Sequence, residues 1–366
     1  MEEKGKKGRM DYTLLLIVVL LVVIGLVILY STSAYNGQVK FHDSFYYLKK
    51  QAFATVLGIV LMLFVAGMDY HIWQRLAVFG YLAAVALSVA VMLFGREING
   101  SKRWLALGPF SFQPSEFAKV ALILFLADLV TKNVKTIGKM WTLCRIMFWI
   151  LPIVGLVGAS NLSTAIIILG IGVILIFVAS PKYAQFAMMG IAGACFMGIF
   201  LALESYRLER LAIWRNPEKY EKGYQTLQGL YAIGSGGVFG VGIGNSVQKL
   251  GFVPEAQNDM IFSIICEELG LAGAGIIVFL FLLLIWRFFL IASGSRDLFG
   301  ALIATGAMAH MMIQVILNIA VVTNTIPNTG ITLPFISYGG TSVMFLLIEM
   351  GLVLSEIGRA SCRERV

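Results

Sequence analysis

The sequence predicts an all-α, polytopic integral membrane protein with about ten transmembrane helices. Three observations carry that prediction. Of the 366 residues, 59% are hydrophobic and 13% charged, against about 45–50% and about 25% in an average soluble domain. The apolar residues come in solid blocks close to the ~20 residues that a bilayer-spanning helix needs. They do not alternate, as the strands of a membrane β-barrel would.

The first block, 12–31, is too long for a signal-peptide core of roughly 7–15 residues and lacks a convincing cleavage site. Its flank EEKGKKGRM carries Lys4, Lys6, Lys7 and Arg9, and such basic flanks stay in the cytoplasm. Spans at 51–68, 74–95 and 114–131 follow. Pro152 and the polar SNLST at 160–164 divide the next apolar stretch into spans 145–160 and 163–180. The remaining spans are 184–203, 262–291, 299–322 and 338–355. Ten spans put both termini in the cytoplasm and leave a large extracytoplasmic loop, 204–261, between helices 7 and 8. Lys132, Lys135, Lys139, Lys182 and Arg296 then fall on the cytoplasmic side, as the positive-inside rule asks. Residues 1–355 form a single membrane domain.

The net charge of +8 comes mostly from loops, and no stripe of aromatics between basic residues suggests nucleic acid. Cys144, Cys195, Cys266 and Cys362 form no CxxC pair and no metal spacing, so neither a disulfide nor a cysteine metal site is expected.

The short outer loop 96–113 holds Arg96, Lys102 and Arg103 against a single acid, Glu97. That departure from the charge rule has two readings: an anionic ligand, or the headgroup phosphates of membrane lipids. Pro114 suits the first turn of the next helix, which needs no amide hydrogen there. Ser115 and Glu116 follow at its positive end. Lys119, three residues past Glu116, shares its face. Ionisable residues inside a span are functional candidates by default. The alternative is a structural ion pair, with Lys119 snorkelling to the interface.

GSGGVFGVGIG, 234–244, offers positive φ and close backbone approach. It lacks the GxxxxGK[ST] of a phosphate-binding Walker loop, and packing of interfacial helices is the plainer reading. In PEAQNDMIF, 254–262, a helix beginning near Pro254 places Asp259 near its N-terminal end, where the dipole favours an ionised carboxylate. Glu267 then lies ~12 Å deeper and Glu268 on the opposite side from Asp259. The three acids are not one cluster, and the two glutamates are expected to hold helices together through polar partners. His310, Gln314 and Asn318 recur every four residues as a polar stripe on the ninth span. Such a stripe either joins helices or lines a polar cavity. The broken segment 322–342, with Pro327 and Pro334, leads into the tenth span.

Four stretches in order resemble the SEDS family of bacterial shape, elongation, division and sporulation proteins, over about residues 12–355. They are KRWLALGPFSFQPSEFAK (102–119), GYQTLQGLYAIGSGGVFGVGIG (223–244), PEAQNDMIFSIICEELG (254–270) and PNTGITLPFISYGGTS (327–342). NSVQKLGFVPEA (245–256) and PNTGITLPFISYGG (327–340) are more like the family's cell-division branch than its elongation branch, with the sporulation branch as the alternative. The resemblance implies a peptidoglycan glycosyltransferase that polymerises lipid II at the outer face of the cytoplasmic membrane, at the division septum. It implies as partners a class B penicillin-binding transpeptidase and other divisome proteins, and no nucleic acid. The family's essential carboxylate falls on Asp259, and further family positions fall on Arg103, Glu116, Lys119, Tyr224, Gln225 and Ser235.

The candidate site is thus catalytic Asp259 with substrate-binding Arg103, Glu116, Lys119, Arg207, Arg210, Tyr224, Gln225, Ser235, Gln314, Asn318 and Ser337. Asp259 would be the general base for an acceptor hydroxyl. Arg103 and Lys119, with loop arginines, would stabilise the departing diphosphate. No cofactor is called for, although a divalent cation, Mg or Mn, could assist the leaving group. Two departures stand out. Gln257-Asn258 replaces a usual His-Thr pair. Ser160–Thr164 replaces a run with an aspartate where this chain has Asn161, which cannot transfer a proton. From about Glu356 the ending SEIGRASCRERV does not look like the family, so 356–366 is expected to be a non-native or truncated tail. Two other functions fit the spans and basic loops: a lipid II flippase or precursor transporter, and a non-catalytic divisome scaffold.

Overall fold

The computed structural model describes residues 11–98, 101–107, 110–187, 190 and 212–360. Its long helices are α1 (Tyr12–Phe41), α2 (Tyr46–Gly67), α3 (Tyr70–Phe94), α4 (Pro114–Asn133), α5 (Met140–Ser160) and α6 (Leu162–Ala179). A short α7 (Tyr224–Ser235) precedes α8 (Ile261–Gly294), α9 (Leu298–Val322) and α10 (Gly340–Ala360). Seven of the described helices are long and apolar enough to cross a membrane: α1, α2, α3, α5, α6, α8 and α9. Helices α4 and α10 are of similar length but carry buried charges, Glu116, Lys119 and Asp128 on one, Glu349 and Glu356 on the other. Most of the expected span 184–203 lies outside the described residues.

Local chemistry explains the boundaries. The Asp11 carboxylate caps α1 by accepting from the Leu14 amide at 2.9 Å. Pro114 opens α4. Pro152 does not divide α5 from α6 but lies inside α5, as membrane helices tolerate when neighbours satisfy the freed carbonyl. The division is at Asn161, whose extended backbone ends α5 and whose side chain caps α6 through the Thr164 amide. Loop 96–113 contains a three-stranded antiparallel sheet, β1 (Arg96–Ile98), β2 (Ser101–Leu107) and β3 (Phe110–Phe112), in the order β1-β2-β3. β1 and β3, of three residues each, are too short to show a readable periodicity, and the seven of β2, SKRWLAL, do not alternate. Helix α10 runs past the expected end at 355 to Ala360, with Glu356 buried.

Helix α4 is central, with 15 of its 20 residues buried. It packs on α3 and α9, while α10 lies along α2 and α1 along both α2 and α8. A Cβ on Gly351 would sit 2.6 Å from the Met62 carbonyl oxygen, so α10 approaches α2 backbone to backbone. At one end of the bundle Arg287 of α8 pairs with Asp11 at 2.6 Å. Toward the other end Ser31 of α1 donates to Glu268 of α8 at 2.7 Å. Twenty helical residues separate Asp11 from Ser31, or ~30 Å, the thickness of a bilayer's hydrocarbon core.

Helix α8 is broken at Gly270, where φ is 67° and ψ −171°. The glycine-rich loop after α7 fills the break. Leu271 and Ala272 amides donate to the Gly237 and Val238 carbonyls, and Val241 and Gly242 amides donate to the Glu267 and Glu268 carbonyls, all at 2.9–3.0 Å. A Cβ on Gly240 would lie 2.2 Å from the Glu268 carbonyl oxygen. Glycine is therefore needed there for close approach as well as for its φ of 77°. The side chains of both glutamates hold the same loop. Glu267 accepts from Ser246 and the Val247 amide, and Glu268 from Ser31 and Lys249.

The break has a geometric consequence. A straight α8 would carry Ile261 ~50 Å from the hairpin to α9, whereas Asn318 lies only ~30 Å along α9. Yet Asn318 Nδ2 donates to the Asp259 carbonyl at 2.9 Å. The first turns of α8 must tip back across the bundle end for that bond to form.

Candidate active site

Asp259 does not sit within a helix that begins near Pro254. Residues 251–260 form turns, and α8 starts at Ile261. The local sequence explains the turn. Glu255 adopts a left-handed φ of 53°, and the Asn258 amide donates back to its carbonyl. Three neighbours then pin the turn. Gln257 accepts from the Tyr338 amide at 2.8 Å through its carbonyl, and from Asn36 at 3.1 Å through its side chain. Asn318 bridges the Asp259 carbonyl and the Ile331 carbonyl at 2.9 and 2.7 Å.

The Asp259 side chain is half-buried. Gln225, the second residue of α7, donates to its Oδ1 at 3.4 Å and to the Pro254 carbonyl at 3.3 Å. Asn328 in turn donates to Gln225 Oε1 at 3.2 Å. Burial raises the Asp259 pKa to about 6, aided by the negative charge of Glu255 and opposed by backbone amides and Gln225. No cation among the described residues offsets that burial. The carboxylate is thus a base within about a unit of neutrality, with its geometry set by three separate chain segments.

A second cluster lies along α9. Lys119 does not snorkel: it is 2% exposed, points into the bundle and pairs with Glu116 at 3.0 Å. Its Nζ also reaches Gln314 Oε1 at 3.4 Å. Gln314 donates through Nε2 to the Thr332 carbonyl at 3.0 Å, which leaves Oε1 facing His310 Nε2 at 2.8 Å. An amide oxygen only accepts, so that ring nitrogen carries a proton. His310 Nδ1 faces Glu349 Oε2 at 2.8 Å, and one further proton lies between those two atoms. The polar stripe therefore joins helices: His310 to α10, Gln314 to α4, and both Gln314 and Asn318 to the segment 323–339.

That segment is where the candidates converge. Ser163 of α6 donates to the Thr329 carbonyl at 2.7 Å. Arg103 of β2 donates through Nε to the Ser160 carbonyl at 3.1 Å, and it shares a small cleft with Ser115 and Asn161. So Asp259, Gln225, Gln314, Asn318, Glu116 and Lys119 are linked through residues 328–332, with Arg103 beside them.

Three candidates are placed otherwise. Ser235 ends α7, ~15 Å along the helix from Gln225, and its hydroxyl donates to Ala232. Ser337 is buried, and its hydroxyl accepts from the Leu333 amide at 2.8 Å to close a turn. Tyr224 is exposed at the start of α7. Arg207 and Arg210 lie outside the described residues. Sequence reasoning missed Asn328, Glu255, Thr332 and Glu349. Asn328 stands in the PNTG stretch, but its contact with Gln225 spans 103 residues and leaves no local signal. Among the described residues no group of three or more His, Cys, Asp or Glu could hold a metal ion.

A family model described as "Cell cycle protein" (FtsW, RodA, SpoVE) matches residues 12–361. Stage V sporulation protein E of Bacillus subtilis is 39% identical over 96% of this chain and 97% of its own length. A probable peptidoglycan glycosyltransferase FtsW of Trichlorobacter lovleyi is 35% identical over 94% of this chain and 92% of its own. A solved chain from "Structural coordination of polymerization and crosslinking by a peptidoglycan synthase complex" superposes with a TM-score of 0.82 at 29% identity. It covers 97% of this chain and 99% of that one.

Proposed function

The chain belongs to the FtsW, RodA and SpoVE family of cell cycle proteins, and on that premise we propose how its half-buried carboxylate is used. The protein is a membrane-embedded peptidoglycan glycosyltransferase that polymerises glycan in cell-wall synthesis. Its substrate in this reading is lipid II, at the outer face of the cytoplasmic membrane. That face is the bundle end bearing Asp259, opposite the Asp11–Arg287 pair. Its setting is the division septum, with a class B penicillin-binding transpeptidase and other divisome proteins as partners.

The observation that carries the mechanism is Asp259 itself, half-buried, unpaired with any described cation and titrating at about 6. At pH 7 such a group is roughly ten to one ionised, yet it still takes a proton readily. An acceptor sugar hydroxyl attacks the anomeric carbon of the donor. The new carbon–oxygen bond forms as the bond to the lipid diphosphate breaks, which inverts an α-linked donor to a β-linked product. Asp259 Oδ accepts the hydroxyl proton. Arg103, on the short outer sheet, is the group suited to meet the diphosphate, because a guanidinium binds two oxygens at once. Lys119, enclosed with Glu116 and Gln314, acts by position instead, holding the segment that carries Asn328. If Mg or Mn takes part, Asp259 and Glu255 are the carboxylates of the turn that could contribute to holding it beside the diphosphate, and it would supply charge neutralisation of the leaving group.

The test is glycan synthesis by the purified protein with its transpeptidase partner and lipid II. Wild type should give long glycan chains on a gel and Asp259→Asn none, at equal folding and equal lipid II binding. Equal chains from both would remove Asp259 as the base.

A further inference from the structure

The stretch from Gly236 to Gln248 contains no charged residue, yet it presents large apolar side chains outward. Phe239 is 84% exposed, and Val238, Val241 and Ile243 are each at least 44% exposed. A water-facing loop would leave backbone groups to the solvent and carry polar side chains. This one does the reverse. The Gly240 amide donates to the Gly236 carbonyl at 2.8 Å, the Val241 and Gly242 amides to α8, and the Asn245 amide to Gly242. Its neighbouring cation, Lys249, is turned inward onto Glu268 at 2.6 Å, with 7% of its side chain exposed. Paired backbone amides, apolar outward side chains and a neighbouring charge turned inward suit a non-helical segment to hydrocarbon.

Position agrees with composition. The loop is stitched to α8 at Glu267–Ala272, the level of the Ser31–Glu268 contact and ~30 Å from the Asp11–Arg287 end. That separation matches the thickness of the hydrocarbon core, so with the Asp11–Arg287 pair at one boundary the loop comes to the other. Just past the break, α8 exposes Leu271, Ile276, Phe279, Leu282 and Trp286, a stripe three to five residues apart that no described residue covers. Val238, bonded through its carbonyl to Ala272, extends that stripe onto the loop.

We propose that loop 236–248 is a membrane-inserted anchor, with Phe239 and Ile243 buried among the acyl chains of the leaflet on the Asp259 side. The loop runs within eleven residues into the turn that carries Asp259, so its insertion fixes the depth of that carboxylate at the lipid headgroups. Insertion itself does not depend on the glycosyltransferase reading, because depth is measured without activity.

The experiment places nitroxide labels on Phe239→Cys and Ile243→Cys, in the full chain with its four native cysteines replaced. The protein is reconstituted in phosphatidylethanolamine–phosphatidylglycerol vesicles. Collision with oxygen is compared with collision with a water-soluble nickel chelate. Phe279→Cys on the α8 stripe is the lipid reference and Glu218→Cys the water reference, and together they also certify the fold. Labels at 239 and 243 should favour oxygen several-fold over the label at 218 and approach that at 279. Values equal to those at 218 would overturn the anchor. They would instead mean a surface open to water, free to meet a protein partner.

Discussion

At the residue scale the decisive group is Asp259, and its behaviour follows from what is missing around it. A carboxylate drawn partly out of water, with no cation among the described residues to compensate, holds its proton more tightly, hence its pKa of about 6. In the proposed role of general base it must be ionised, so turnover should fall about tenfold per pH unit below 6 and level off above it. The pH dependence of kcat/KM reads this directly. Gln225 donates to the carboxylate and favours its charged form, so Gln225→Ala should move the acid limb to higher pH while leaving the plateau less affected. A limb that does not move would mean that the 3.4 Å contact is not made in solution. Lys119 and Glu116 follow a different rule, because both are buried and each compensates the other. Lys119→Met alone should destabilise by about 3–5 kcal/mol, since it strands a buried carboxylate. Adding Glu116→Gln should recover much of that loss, and thermal unfolding in detergent separates the two cases.

At the element scale, α8 shows how a break can be built as firmly as a helix. Its freed backbone groups are met by the loop after α7, and that contact requires glycine on both sides. Gly240→Ala would place a Cβ against the Glu268 carbonyl at a φ of 77°. It should destabilise by about 1–3 kcal/mol from backbone strain alone. It should also lower glycan synthesis beyond the loss of folded protein, because the tilt of α8 sets where Asp259 stands. Normal synthesis per folded molecule would separate the break from the site. The polar stripe of α9 is the other organising element. One turn apart, Gln314 and Asn318 hold Thr332 and Ile331, so a single helix face aligns the segment 323–339 over both the ion pair and the turn that carries Asp259.

At the scale of the whole molecule, the bundle separates its tasks by depth. The middle is packed by α4 and α9, the rim presents large apolar side chains, and the proposed site lies at one end. Depleting the protein from growing cells should block septation while elongation continues, and re-expression of Asp259→Asn should not restore division. Division that proceeds unchanged under depletion would assign the enzyme to another cell-wall event.

Membrane residence, the helical class and most helices were legible in composition and block length, because burial in lipid imposes a strong, local and continuous apolar signal. Pro114 at the start of α4, the Glu116–Lys119 pair and the polar stripe of α9 were legible for the same reason, since each depends on spacing within one helix. Asp259 stood out as a carboxylate at the edge of such a block. Its setting did not. The turn that holds it, the break at Gly270, the Asn328–Gln225 contact, and the inward turn of Lys119 and Lys249 all join segments far apart in the chain. Whether a polar side chain reaches water, lipid or a partner is decided by what packs against it, and only the tertiary structure supplies that.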